Sequence, residues 1–215
     1  FADIVNDIVV ETGNARYQDR IDAYVRGEDV PRSELEAAWL ETTQDPAMTS
    51  SPVYEGLFTK VREVNKTRDA ARRLRVLLAD PPGEWRKVPE AERRRVDRDS
   101  FAAAMVRREV VNRKRRALLV YGDGHLPHRN RAMVVGQLEA SGSRVFNIWT
   151  TTRRSLLPWQ PDVLTWTVPS FALVRGKTLG SAEVPMWFPE KLEDQFDAVM
   201  TFDRFTRAAR DRVAP

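Results

Sequence analysis

The chain has 215 residues, 42% of them hydrophobic and 31% charged, with a formal net charge of +4. Its 35 basic residues are nearly matched by 31 acidic ones, and no stretch reaches the ~18 apolar residues of a spanning helix, so composition describes an ordinary globular chain. It lacks cysteine, which excludes disulfides, thiolate zinc sites and cysteine nucleophiles, and any imidazole chemistry must use its two histidines, His125 and His128.

The length suits a single domain, 1–215. The sequence opens at Phe1 almost directly into a strand, so N-terminal sequence is expected upstream, where a targeting segment is neither implied nor excluded. Residues 7–13 form an apolar run ending in Glu11 and Gly13, and read as a buried strand. A helix over 15–26 follows, with Tyr17, Ile21, Tyr24 and Val25 on one face and Gly27 to stop it. Ser33 and Glu36 have capping-box spacing and start a helix that turns Leu35, Ala38 and Trp39 inward. Ser51-Pro52 opens another, with Val53, Leu57, Val61 and Val64 in helical period.

Residues 74–79 read as a strand ended by Asp80-Pro81-Pro82-Gly83. The charged segment 84–99 is expected to be an exposed loop with one helical turn. A helix over 100–112 carries Phe101, Met105 and Val110 inward, and the basic run 113–116 then gives way to Ala117-Leu118-Leu119-Val120-Tyr121. That run predicts a strand buried on both faces, followed by Gly122-Asp123-Gly124-His125. A helix over 129–140 capped by Gly142, a strand over 144–149, an irregular Pro/Trp-rich excursion over 153–189 and a closing strand over 196–202 complete the chain, with a polar tail from Arg204. Within the excursion, 163–168 and 171–174 are expected as short strands or lid-like segments. Alternation of strand and helix predicts an α/β fold, a mostly parallel sheet with helices on both faces.

Ligands bind at the carboxyl ends of such sheets. Glu11, Asp80 and Asp123 each close a predicted strand, and His125 follows the last of them. Carboxylates around an imidazole raise its pKa and fix its tautomer, which suits a general base or a metal ligand. Pro127 breaks any helix joining His125 to His128, so His128 is expected at the surface. The basic clusters 93–95, 107–108 and 113–116 are interleaved with acids and lack aromatic neighbours, so solvated helix faces are expected rather than a nucleic-acid partner. Asn65-Lys66-Thr67 has glycosylation spacing. No Gly-x-Ser-x-Gly elbow, phosphate loop or dinucleotide fingerprint is present, so hydrolysis would use an activated water acting on a small-molecule substrate.

The segments 8–18, 74–82 and 119–126 resemble the erythromycin-esterase-like and ChaN-like proteins of the Tiki/TraB superfamily. The resemblance implies a site built from a Gly-Glu-x-x-His motif, a strand-end glutamate and a later Gly-x-Gly-His. Glu11 matches the glutamate; Gly122, Gly124 and His125 match the last motif; the first motif is not found before Glu11. On this resemblance Glu11 orients or polarises, His125 acts as base, Asp123 and Asp80 tune it, and Arg16 binds a carboxylate or the substrate. The ChaN-like branch implies the alternative, a haem- or iron-binding protein without catalysis, with His125, Tyr121 or the tryptophan-rich segment near the ligand. Haem and a divalent metal are the cofactors so implied.

Overall fold

The computed structural model describes residues 4–45, 49–50, 52–128, 130–156, 161–174, 183–184 and 188–203. They fall into two compact units, one reaching Tyr121 and the other starting at Gly122.

The first unit is built on three parallel strands in the order β2-β1-β3: β1 (Asp7–Asn14), β2 (Arg75–Asp80) and β3 (Ala117–Val120). Ile8 and Val10 of β1 pair with Val76 and Leu78, and their side chains share a core with Ile21, Val25, Leu35, Trp39, Phe58 and Val61. Those residues come from α1 (Gln18–Arg26), α2 (Arg32–Leu40) and α3 (Pro52–Lys66). Val9 and Leu77, the alternate positions, are buried as well. β1 is therefore the strand enclosed throughout.

The run 117–121 was expected to be that strand, and is not. β3 lies at the end of this sheet and pairs with β1 on one side, leaving Leu118 45% and Val120 43% exposed. The other end of the sheet is finished by a side chain. Gln18 donates from Nε2 to the Val76 carbonyl (2.7 Å) and accepts at Oε1 from the Leu78 N–H (2.9 Å), so its amide takes the place of a neighbouring strand along β2.

Helix boundaries follow local chemistry. α1 stops at Gly27, whose φ of 112° admits the left-handed turn, and the Arg62 guanidinium donates to the carbonyls of Tyr24 (2.7 Å), which also accepts the Gly27 N–H (3.0 Å), and Gly27 (2.8 Å). Pro52 lies in the first turn of α3, as expected. The Ser33–Glu36 capping box does not form: Pro31 occupies the cap position, and Ser33 is already inside α2. Asn65 is buried, donating to the carbonyls of Val25 and Leu74 and accepting from the Leu74 N–H, so it is a structural tie rather than a glycan acceptor. The segment after β2 holds a short 3-10 turn and α4 (Glu90–Arg93). α5 (Arg98–Val106), capped by Asp97 on the Ser100 N–H (3.0 Å), continues as a π turn over Arg107–Val111.

The second unit contains α6 (Val134–Ala140), β4 (Ile148–Thr152), α7 (Arg153–Leu156), β5 (Ser170–Leu173), a short antiparallel hairpin of β6 (Glu183–Val184) and β7 (Phe188–Lys191), α8 (Leu192–Gln195) and β8 (Ala198–Phe202). Its three-stranded sheet has the order β4-β8-β5, with β4 parallel and β5 antiparallel to β8. Trp149 and Phe196 stack at 6.1 Å in a core shared with Leu156, Val163, Val174, Leu192 and Val199. The predicted helix over 129–140 begins only at Val134, and the strand expected over 144–149 is displaced to Ile148–Thr152, where β-branched threonines carry the ladder. Of the strands expected in the Pro/Trp-rich excursion, 163–168 is largely replaced by a 3-10 turn, Pro161–Thr165, while 171–174 corresponds to β5. The tail from Arg204 lies outside the described residues.

Candidate functional site

The carboxyl ends of β1 and β2 carry buried Thr12, Asn14 and Asp80, joined there by Thr43 and Gln44. The regular β1 ladder ends at Val10, paired with Leu78 and Val120; the next pair with β2 is Asn14 with Asp80. Four residues of β1 thus span two of β2, a bulge that re-aims the side chains of Glu11 and Thr12. Asn14 spends its amide on the backbone, donating to the carbonyls of Glu41 (2.5 Å) and Gly83 (2.9 Å) and accepting from the Arg16 N–H (3.0 Å).

Asp80, the last residue of β2, is sealed from solvent. Thr43 holds its carboxyl, the N–H donating to Oδ2 (2.9 Å) and the hydroxyl to Oδ1. Burial pushes Asp80 up to about 6, with Glu11 adding to the rise and the Thr43 donors and the Arg98 charge opposing it. Glu11 is mostly shielded; its Oε1 accepts from Gln44 Nε2 (3.1 Å) and faces Arg98 Nη1 (3.4 Å). Tyr121, just past β3, keeps its hydroxyl oxygen out of solvent. Burial, together with the carboxylates of Glu11, Asp99 and Asp80, pushes Tyr121 well above the usual phenol range.

Three of the sequence-predicted residues, Glu11, Asp80 and Tyr121, therefore lie within one electrostatic neighbourhood. Arg16 is turned to Glu84 (2.9 Å), half exposed; Lys87 joins it (2.5 Å), and together the two cations hold the Glu84 carboxyl down at about 2. Asp123 and His125 belong to the second unit, on a short 3-10 turn, Asp123 exposed and His125 half-buried.

Sequence reasoning missed Thr43, Gln44 and Arg98. Arg98 stands 87 positions from Glu11, and its only local signal is its place in the first turn of α5. His128 corrects an expectation outright. It is buried, with Nδ1 2.6 Å from Glu139 Oε1 and Nε2 2.9 Å from Asp197 Oδ2. Asp197 Oδ2 also accepts the Asn147 N–H (2.8 Å), so His128 pins α6 to the entry of β8. Two hydrogen bonds to carboxylate oxygens require two protons among these three groups. His128 is thereby committed to structure rather than to a metal; among the described residues no three His, Asp or Glu side chains are grouped to hold one.

The fold and this rim define an α/β protein with paired strand-end carboxylates. No protein family, curated protein or solved structure matches the chain. Among the described residues no helix is long and apolar enough to cross a membrane.

Proposed function

We propose that the chain is a hydrolase resembling the erythromycin esterases, in which an activated water attacks a small-molecule ester at the carboxyl ends of a mostly parallel sheet with helices on both faces. The role of His125 as base, with Asp123 beside it in the Gly-Asp-Gly-His turn, rests on the resemblance of that motif alone; in the first unit, Arg16 receives an anionic group of the substrate. Glu11 and Asp80 divide the remaining work. Glu11, facing Arg98 and Gln44, orients or polarises, while Asp80, pushed up to about 6 by burial, holds or releases a proton near neutrality. The observation that carries this reading is Asp80 itself: a carboxyl at the end of a buried parallel strand, pushed up to about 6 by burial, with Glu11 of the neighbouring strand near enough to add to the rise.

Turnover of p-nitrophenyl esters is the direct test. Glu11→Gln, Asp80→Asn and His125→Ala are each expected to lose on the order of 100-fold or more in kcat with the thermal melt retained. Undiminished turnover by His125→Ala refutes the assignment, and a Soret shift on titration with haemin transfers the site to the binding alternative.

A further inference from the structure

At the opposite, amino edge of the first unit's sheet, positive charge is built up in excess of the carboxylates around it. Asp7 opens β1 fully buried and accepts from Arg75 (Nε to Oδ1, 2.7 Å) and Arg115 (Nε to Oδ2, 2.7 Å; Nη2 to Oδ1, 2.9 Å). Glu109 is shared by Arg75 (3.5 Å), Arg108 (2.9 Å) and Arg113 (3.0 Å). Two carboxylates thus ion-pair with four guanidiniums, and even with Asp22 acting on Arg75 the cations are in excess before exposed Lys114 and Arg116 are counted. Arg116 is fixed to the same edge by its N–H on Asn6 Oδ1 (3.1 Å).

Lys114 is held in a conformation that favours glycine. The turn after α5 closes with the Lys114 N–H on the Val111 carbonyl (2.9 Å) and the Arg115 N–H on the Val110 carbonyl (2.9 Å), a Schellman pattern. Lys114 takes the left-handed position with φ 54°. The helix dipole favours cations here, but a glycine would serve the turn without strain. Two aliphatic side chains stand in the same rim: Ile4, 58% exposed and two residues before Asn6, and Val111, 41% exposed and bonded to Lys114.

We propose that this edge docks on an anionic phospholipid bilayer, with Arg108, Arg113, Lys114 and Arg116 meeting the headgroups and Ile4 and Val111 entering the interface. Excess cations beside exposed aliphatics match a charged surface with an apolar layer beneath it. A nucleic acid would use the cations, but its phosphate backbone offers nothing to two exposed aliphatics.

Flotation of the purified chain with phosphatidylglycerol/phosphatidylcholine vesicles tests this. Binding is expected to the mixed vesicles, to fall at about 0.5 M salt, and to vanish on phosphatidylcholine alone. Each cation removed should weaken partition about fivefold. Lys114→Gly is the decisive variant, because it is expected to melt higher than the parent while binding less, which misfolding cannot imitate. Arg113→Glu with Arg116→Glu should abolish flotation. Equal binding to both vesicle types, or flotation unchanged in these variants, overturns the proposal. So does tighter binding to duplex DNA at equal phosphate concentration, which would reassign the edge to nucleic acid.

Discussion

Replacing Asp80 with asparagine isolates a titration that the fold has displaced. Burial penalises the charged carboxylate, so folding favours the protonated form, and the carboxyl moves from 3.8 to about 6. At about 1.4 kcal/mol per pH unit that displacement is worth about 3 kcal/mol. The contribution is complete below pH ~4, the ordinary carboxyl value, and drains as pH rises through about 6. Asparagine cannot titrate and resembles the protonated acid in having one carbonyl acceptor for the Thr43 donors. Asp80→Asn should therefore lie close to the parent at pH 4 and lack the parent's fall of about 3 kcal/mol by pH 7. Urea unfolding followed by circular dichroism at both pH values measures this directly. A stability-versus-pH slope that is the same in parent and variant would refute the reasoning, as would an infrared protonated-carboxyl band at pH 5 that survives the substitution.

Two further substitutions probe the buried charge clusters. Asp7→Asn strands the guanidiniums of Arg75 and Arg115 at the start of β1 and should cost about 3 kcal/mol, read as a lower urea midpoint. His128→Leu removes both ring nitrogens that bridge Glu139 and Asp197, and should cost a similar ~3 kcal/mol in the second unit. Hydrogen exchange should show α6 and β8 losing protection while β1 and β2 keep theirs. Adding Glu139→Gln should restore part of the loss if carboxylate repulsion is its source.

How far the sequence discloses this molecule depends on the range of each interaction. β1 and β2 were legible because an apolar run bounded by charge or proline is a local pattern. β3 was legible as a strand but not as the end of this sheet, since Leu118 and Val120 look no different from Val9 and Leu77 until pairing is known. Ser33 failed as a cap because Pro31 already fixed the boundary two residues earlier. Glu11 and Asp80 were found from their positions at strand ends, yet their immediate partners, Thr43, Gln44 and Arg98, arrive from distant turns and helices. His128 was misread for the same reason. One of its carboxylates is 11 positions away and the other 69, and no spacing rule joins them.

Gln18 gives the first unit's sheet a growth direction. With its amide occupying Val76 and Leu78, a newcomer can join beyond β2 only by evicting the opening turn of α1, whereas the β3 side carries no such side-chain plug among the hydrogen bonds of the described residues. Insertions, circular permutants and self-association through this sheet should all respect that one-sidedness. A single glutamine makes a ribbon with two ends behave as a template with one.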